Sequence, residues 1–370
     1  MKVSFPHMGT SHIAFKQFIE RLGHEPIVPP TPSKKTLSYG VQYSPEFACI
    51  PFKVLMGTYV EVLEKGAEMI ISSGGHGPCR AGLYGMLHEK ILKDAGYDFE
   101  MIILDAPLKN PKDFISKINR IIKPNKVGWY RFIQEFKFGW AKLKVLDMVE
   151  AYSHKIRPYE VTKGQTTRSF IKTLTLIAQA QTSEELENAR RQGIKLLDEV
   201  EQDRSRKPLK VGIIGEIYVV IEPFMNFDIQ VLLGEMGVET HRSIYLTQWT
   251  KDNAAKGKGE LDVIACAPPY LNQKVGGHGI ISIGETVIYA KNGYDGVIQL
   301  APFTCIPEIV AKSIIPQITK DYGIPVLSLT IDEQTAKTGV QTRLEAFIDL
   351  MLHQRSVKGG GKSHEVRLGS

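Results

Sequence analysis

Cysteine is scarce in this sequence, and its copies lie far apart. The four cysteines are Cys49, Cys79, Cys266 and Cys305, so the 370-residue chain contains no Cys-x-x-Cys pair. That spacing argues against zinc ribbons and zinc fingers, which use such pairs. Disulfides are not expected either, because nothing resembles a secretory signal and a chain of this length builds its core without cross-links.

Long apolar runs are also missing. No stretch approaches the roughly 18 apolar residues of a membrane-spanning helix, and the first residues lack the apolar core of a signal peptide. The sequence therefore predicts a cytoplasmic protein that has no contact with a membrane. The net charge is a mild +6. The basic clusters at 204–210 and 256–258 are interrupted by acids or lie near predicted linkers, so we expect solvated surface and no nucleic-acid partner.

Motifs for nucleotide hydrolysis and ester hydrolysis are absent as well. The sequence has no Gly-x-x-x-x-Gly-Lys-Ser/Thr, no full Gly-x-Gly-x-x-Gly and no Gly-x-Ser-x-Gly. Nucleotide hydrolysis by this chain is therefore not predicted. One phosphate-binding candidate remains, the segment 9–12 (Gly-Thr-Ser-His), which follows the first predicted strand and begins a helix.

Short apolar runs do alternate with amphipathic stretches along most of the chain. The predicted strands are 2–5, 26–28, 69–72, 101–104, 210–216, 238–241, 262–265, 296–300 and 325–329, with 29–45 as a loop and 224–236 as one helix. This alternation predicts an α/β fold with two Rossmann-like lobes, each a doubly wound parallel sheet. Strand signals vanish in the middle, which predicts a helical insertion between the lobes. The predicted units are an N-terminal lobe at 1–110, a helical domain at 111–207, a C-terminal lobe at 208–354 and a disordered tail at 355–370.

The cysteines fall into two similar segments. Cys49 begins a Cys-Ile-Pro sequence before an amphipathic stretch, and Cys79 follows an apolar run; Cys266 begins Cys-Ala-Pro, and Cys305 follows the matching run. Each half thus places one cysteine before a helix and one after a strand. Four thiols that meet in a cleft between lobes would suit a metal cluster, whereas the alternative is that they fill the core as small apolar residues.

The predicted positions agree with a ligand site. In open parallel sheets, ligands bind outside the carboxyl ends of the strands, where loops lead into helix N-termini. Cys79 and Cys305 follow predicted strands in this way, and Cys266 follows the predicted strand 262–265. Helix N-termini favour a thiolate over a thiol and stabilise an anionic cluster.

Several segments resemble one known family. They are 49–57 (Cys-Ile-Pro-Phe-Lys-Val-Leu-Met-Gly), 77–84 (Gly-Pro-Cys-Arg-Ala-Gly-Leu-Tyr), 305–307 (Cys-Ile-Pro), 324–333 and 342–347. Together they resemble the 2-hydroxyacyl-CoA dehydratase superfamily, and within it the branch of activase-related proteins. The resemblance covers both lobes, whereas the helical middle is similar only in position and character.

The resemblance implies a 4Fe–4S cluster held between Rossmann-like lobes. It implies an ATP-dependent activase of the Hsp70 and actin class as the partner that delivers a low-potential electron, a small-molecule or acyl-CoA substrate, and a dimer. By position, Cys49, Cys79 and Cys305 are the implied ligands. Cys266 enters the ligand set only through its pairing with Cys49 in the repeat.

The number of bound thiolates separates the candidate functions. Three thiolates leave one iron open, which suits a dehydratase or reductase that acts on a substrate oxygen. Four thiolates close the cluster, which suits a non-catalytic electron relay or scaffold for an activase. A third alternative is a metal-free α/β enzyme or ligand-binding protein that uses the cleft between the lobes.

Five further residues are candidate site residues. His76 and His278 both lie in Gly-Gly-His-Gly, where a histidine is a candidate proton donor or, as the less favoured alternative, an iron ligand. We expect His76 to be a catalytic proton donor and His278 to point toward solvent. Arg80 either neutralises a cluster or pairs with a surface acid. Glu216 ends a predicted strand and Glu333 follows Asp332; for both, capping and surface roles are favoured over a role in the cleft.

Overall fold

Two four-stranded sheets organise the chain. The computed structural model describes residues 1–74, 79–105, 107, 110–248, 250 and 259–359. The first sheet contains β1 (Lys2–Ser4), β2 (Glu25–Pro26), β3 (Met69–Ser73) and β4 (Glu100–Leu104). The second contains β5 (Leu209–Gly215), β6 (Val238–Arg242), β7 (Gly296–Pro302) and β8 (Val326–Ile331). The predicted α/β fold with two sheet-based lobes is confirmed.

The two sheets share one strand order. It is β2-β1-β3-β4 in the first and β6-β5-β7-β8 in the second, and all neighbouring strands are parallel. The direction of winding reverses between β1 and β3, and again between β5 and β7. Each sheet therefore has a switch point beyond the carboxyl ends of these strands, which is where open sheets bind ligands.

Both faces of each sheet are packed. Neighbouring residues of a strand face opposite sides, and Met69 and Ile70 of β3 accordingly belong to two different core clusters. Ile213 and Ile214 of β5 divide in the same way. This is the doubly wound arrangement that the sequence predicts.

Helices cover the sheets and fill the middle of the chain. The first sheet is surrounded by α1 (His12–Arg21), α2 (Lys34–Tyr43), α3 (Ile50–Glu64), α4 (Tyr84–Asp94) and α5 (Pro111–Ile122). The middle consists of α6 (Trp129–Ile156), α7 (Gln165–Gln179) and α8 (Ser183–Asp198). The second lobe contains α9 (Ile217–Ile221), α10 (Pro223–Asn226), α11 (Ile229–Glu235), α12 (Gly259–Ala265), α13 (Gly279–Lys291), α14 (Ile306–Tyr322) and α15 (Lys337–Gly359).

Helix α6 connects the two lobes. It has 28 residues and is therefore about 42 Å long. Near its start Phe132 packs into the core of the first lobe, and toward its end Glu150 forms a 2.8 Å ion pair with Arg242 on β6. Helix α5 differs from the rest of the predicted helical region, because Ile118 packs against the first sheet.

Two elements differ in type from the prediction. Helix α2 lies in the predicted loop 29–45; Ser33 begins it with a capping box, which satisfies the free amides of a helix start. Helix α12 replaces the predicted strand 262–265. Helix α2 packs on α3, and α12 packs on α13, each through a glycine of the second helix. A Cβ on Gly57 of α3 would lie 1.8 Å from the Thr36 carbonyl oxygen, and a Cβ on Gly284 of α13 would lie 2.1 Å from the Val263 carbonyl oxygen.

Two further boundaries differ from the prediction. The predicted helix 224–236 is divided into α10 and α11, because Phe227 and Asp228 both adopt the left-handed conformation, with φ of 58° and 56°. Helix α15 continues to Gly359, past the predicted start of the tail, and residues 360–370 lie outside the described part of the chain. No helix within the described residues is both long and apolar enough to cross a membrane.

Candidate metal centre

Three of the four cysteines stand directly before a helix at the carboxyl edge of a sheet. Cys49 precedes α3, Cys79 precedes the 3-10 helix Arg80–Leu83, and Cys305 precedes α14. Cys79 and Cys305 also follow β3 and β7, the strands at the switch points. A backbone amide in the first turn of each following helix bonds to the thiol and acts to lower its pKa. The three thiols therefore lie beside the positive ends of helix dipoles, which favour a thiolate.

Arg80 links the segments that carry these three cysteines. Its guanidinium donates to the carbonyl oxygen of Thr304 at 2.7 Å and to that of Phe47 at 3.2 Å. The Thr304 hydroxyl donates to the same Phe47 oxygen at 3.2 Å. Thr304 has a φ of 66°, which is uncommon for a β-branched residue and marks a constrained loop. The partners of Arg80 are oxygens of both lobes, so it does not pair with a surface acid. Its charge also acts to lower the pKa of Cys49 and Cys79, which is the direction that the predicted neutralising role requires.

A second contact joins the lobes at Cys79. A Cβ on Gly277, in the loop before α13, would lie 3.8 Å from Cys79 Sγ and 3.1 Å from Cγ of Pro307. Pro307 is in the first turn of α14, which Cys305 precedes. The loop of the second lobe therefore lies against the thiol of the first lobe and against the segment of Cys305.

The three thiols share one electrostatic environment. Cys49 and Cys305 are buried and Cys79 is half-buried. Burial raises the pKa of all three thiols, that of Cys49 to about 11, and the nearby carboxylate of Glu216 raises each further. The charge of Cys49 also raises the pKa of Cys305. The guanidinium of Arg80 acts to lower the pKa of Cys49 and Cys79 but does not offset their burial, so the thiols stay protonated at neutral pH. A bound metal would supply the charge that deprotonates them.

Glu216 lies at the switch point of the second sheet. Gly215, with a φ of 138°, allows a close approach to β7, because a Cβ there would lie 2.1 Å from the Leu300 carbonyl oxygen. The amide of Glu216 donates to that oxygen at 3.1 Å, and its Oε2 accepts from the amide of Val219. Burial raises the pKa of Glu216 to about 7. The favoured capping role is confirmed. The effect of Glu216 on all three thiols also agrees with the less favoured alternative, a carboxylate in the cleft.

Tyr84 on α4 is a further neighbour of the thiols. Its hydroxyl lies 2.6 Å from Cys49 Sγ. Burial raises the pKa of Tyr84, so the phenol keeps its proton and can donate to a thiolate.

The remaining predicted ligand, Cys266, has different surroundings. It follows the end of α12 and is half-buried against the apolar core of α13 and α14. Because α12 is a helix, Cys266 does not follow a strand, and it does not begin the helix that corresponds to α3. The apolar cluster to which Cys266 belongs includes none of the other three cysteines.

The last three candidate site residues are His76, His278 and Glu333. His76 lies outside the described residues. The expectation for His278 is wrong: this residue is buried, with 9% of its surface exposed, directly before α13. Glu333 forms a 3.0 Å ion pair with Lys53 of α3 across the lobes.

The predicted phosphate cradle at 9–12 is occupied from within the protein. The amide of Gly9 donates to Oε2 of Glu222 at 2.9 Å, and Nδ1 of His7 lies 2.8 Å from the same oxygen. Glu222 is fully buried and belongs to the second lobe. A carboxylate of the protein thus holds the place that a phosphate would take.

The donor set fits a cluster better than a single ion. In the described part of the chain, no three side chains of His, Cys, Asp or Glu are grouped closely enough to hold one metal ion. In a 4Fe–4S cluster each iron takes one protein ligand, so the thiolates need not meet at a point. Three free thiols at helix starts, supplied by both lobes, match that requirement.

Comparison with known protein families found no match for this chain, and no curated protein matches it.

Proposed function

We propose that this chain is an iron–sulfur protein that holds one 4Fe–4S cluster on Cys49, Cys79 and Cys305 and accepts low-potential electrons from an ATP-dependent activase. The observation that carries the proposal is the pair of Arg80 hydrogen bonds to Phe47 and Thr304, which bring the cysteine segments of both lobes together. When bound, such a cluster supplies a one-electron centre.

The surrounding residues set the conditions for electron acceptance. Burial of Cys49 and Cys305 excludes water from the thiolates, and Glu216 disfavours an added electron when its carboxyl is ionised, above its pKa of about 7. Both effects lower a reduction potential, because the reduced cluster carries more negative charge. The phenol of Tyr84 acts in the opposite direction when it donates to Cys49.

Exposed apolar side chains beside the cysteines support a protein partner. Phe47, Phe303 and Ile306 are 72%, 56% and 55% exposed, and each lies within two residues of Cys49 or Cys305. Apolar side chains grouped on a surface mark interaction sites. An electron donor that docks here would be close to the thiols.

Whether the protein acts on a substrate depends on whether the fourth iron has a protein ligand. An iron without a protein ligand would bind a small molecule or an acyl-CoA oxygen and support dehydration or reduction. An iron with a protein ligand would leave electron relay as the function.

Metal analysis of cysteine variants tests the proposal. After anaerobic reconstitution we expect about four irons and about four sulfides per chain, and a paramagnetic signal after dithionite reduction. Cys79→Ser and Cys305→Ser should lose most of the iron, whereas Cys266→Ser, the matched control, should retain it. An iron-free wild-type chain, or equal losses in all three variants, would contradict the proposal.

A further inference from the structure

The second lobe repeats the helix pair of the first lobe. Helices α2 and α12 each pack on the buried helix that follows, through Gly57 on α3 and Gly284 on α13. The two glycines stand at the same distance along the chain from the next strand, β3 or β7. Helices α3 and α13 are buried along most of their length. They are therefore equivalent elements, and their first turns lie at the carboxyl edges of equivalent sheets.

The residues directly before these two helices are Cys49 and His278. The residues that follow the equivalent strands β3 and β7 and precede the next helices are Cys79 and Cys305. Matched by helix start, Cys79 corresponds to Cys305 and Cys49 corresponds to His278; α13 begins two residues closer to its next strand than α3 does. Cys266 has no part in it, because it lies at the end of α12.

Packing brings the segment of His278 to the thiols. Its neighbour Gly277 lies against Cys79 Sγ, and Gly277 and Gly279 both lie against Pro307, where a Cβ on Gly279 would be 2.6 Å from the Pro307 carbonyl oxygen. One turn into the helices, the Ser282 hydroxyl donates to both carboxylate oxygens of Glu308 at 3.0 Å. The starts of α13 and α14 are thus fixed side by side.

The imidazole of His278 has no partner in the described chain. It is 9% exposed, and none of the described residues forms a hydrogen bond with its ring. Its ring nitrogens are not among the fully buried polar atoms, so they remain accessible to a ligand at the edge where the segment meets the thiols. Burial lowers the pKa of His278 to about 4, which leaves the ring neutral, the form that binds metals.

We propose that His278 supplies the fourth protein ligand of the cluster held by Cys49, Cys79 and Cys305. This inference rests on the proposed function. Imidazole binds iron in proteins and replaces thiolate in some clusters, where it raises the reduction potential. Two ligands from each lobe would then close the coordination, which favours the electron relay over an open-iron enzyme.

Nitrogen hyperfine spectroscopy tests this ligand directly. The chain is prepared with ¹⁵N-histidine, reconstituted anaerobically and reduced with dithionite. We expect a strongly coupled ¹⁵N nucleus in the wild-type chain and in Cys266→Ser, and its loss in His278→Gln at unchanged iron content. His278→Cys should retain four irons, lose the coupling and shift the reduction potential to a lower value.

The outcomes separate the two proposals. A wild-type chain that takes up no iron overturns the proposed function together with this ligand. A fully loaded wild-type chain without a strongly coupled nitrogen, or a coupling that persists in His278→Gln, overturns the ligand alone. The wild-type spectrum decides the question even if His278→Gln does not fold.

Discussion

The two lobes share a strand order but differ in the chemistry at their carboxyl edges. The first lobe contributes the thiols of Cys49 and Cys79. The second contributes one thiol, Cys305, together with the buried imidazole of His278 and the carboxyl of Glu216. The repeated topology therefore fixes where site residues stand, while the residue types differ between the copies. A centre that needs both sets exists only while the lobes are associated.

Three of the contacts between the lobes share one polarity, whereas the Thr304 hydroxyl donates in the opposite direction, to the Phe47 carbonyl oxygen. In each of three contacts the first lobe supplies a nitrogen donor or cation and the second supplies oxygen: His7 with Glu222, Lys53 with Glu333, and Arg80 with the Thr304 carbonyl. Lys53 and Glu222 are buried, so these pairs are shielded from salt more than surface pairs are. We therefore expect the lobes to associate in one register.

Gly215 distinguishes the switch point of the second sheet, because it allows β5 to approach β7 closely. Gly215→Ala would place a Cβ 2.1 Å from the Leu300 carbonyl oxygen on a backbone with a φ of 138°. We expect a loss of about 4 kcal/mol in the free energy of unfolding, measured with urea, from strain and clash combined. Gly293→Ala is the control: its φ of 70° is also left-handed, but no atom lies within 4 Å, so about 1 kcal/mol is expected. Equal losses would show that β5 and β7 are not held this closely.

Removal of Glu222 would break the polarity of the lobe contacts. Glu222→Ala leaves the Gly9 amide and buried His7 without their acceptor. We expect a loss of about 3 kcal/mol in the free energy of unfolding, because the stranded groups keep their desolvation cost.

The control for Glu222→Ala is a variant of Glu100, a surface acid that pairs within one lobe. Glu100→Ala removes the partner of Arg120, and we expect less than about 1 kcal/mol because both side chains contact solvent. A loss in Glu222→Ala that is no larger than in Glu100→Ala would mean that the contact does not hold the lobes together.

The sequence predicts the fold and most of the thiol positions because these depend on local patterns. Alternating apolar runs reveal the strands, and Cys49, Cys79 and Cys305 stand in turn sequences that begin helices. The two wrong elements, α2 and α12, are the same element of the repeat. The apolar run Val263-Ile264 is as typical of a buried strand as of a helix, and the contact with the next helix settles its structure.

The remaining site residues depend on contacts that no local pattern contains. Arg80 bonds to a loop 224 residues away. The similarity of Cys-Ile-Pro and Cys-Ala-Pro matched Cys266 with Cys49, whereas the starts of the equivalent helices match His278 with Cys49. The position of a residue at a helix start was thus a better guide to equivalence than its identity.

The last difference between the lobes is the response of Glu216 to pH. Its pKa is near 4.5 in the unfolded chain and about 7 in the folded chain. Between these values the folded chain binds more protons, so the free energy of unfolding falls as pH rises through this range. The shift corresponds to about 3 kcal/mol, and partial solvent contact of this half-buried side chain reduces the expected effect to about 2 kcal/mol. In the metal-free protein, Glu216→Gln should lack this decline.

Urea unfolding of the metal-free wild type and Glu216→Gln at several values between about pH 5 and pH 8 measures the effect. The stability of the variant relative to wild type should increase with pH. Glu308→Gln should behave similarly, because burial also raises the pKa of Glu308 to about 7. If the curves for Glu216→Gln and wild type stay parallel, the carboxyl of Glu216 is solvated and does not lie in the buried environment of the thiols. The carboxylate of Glu216 would then add no negative charge beside the thiols. The site residues of the two lobes would differ only in that His278 stands where the first lobe has Cys49.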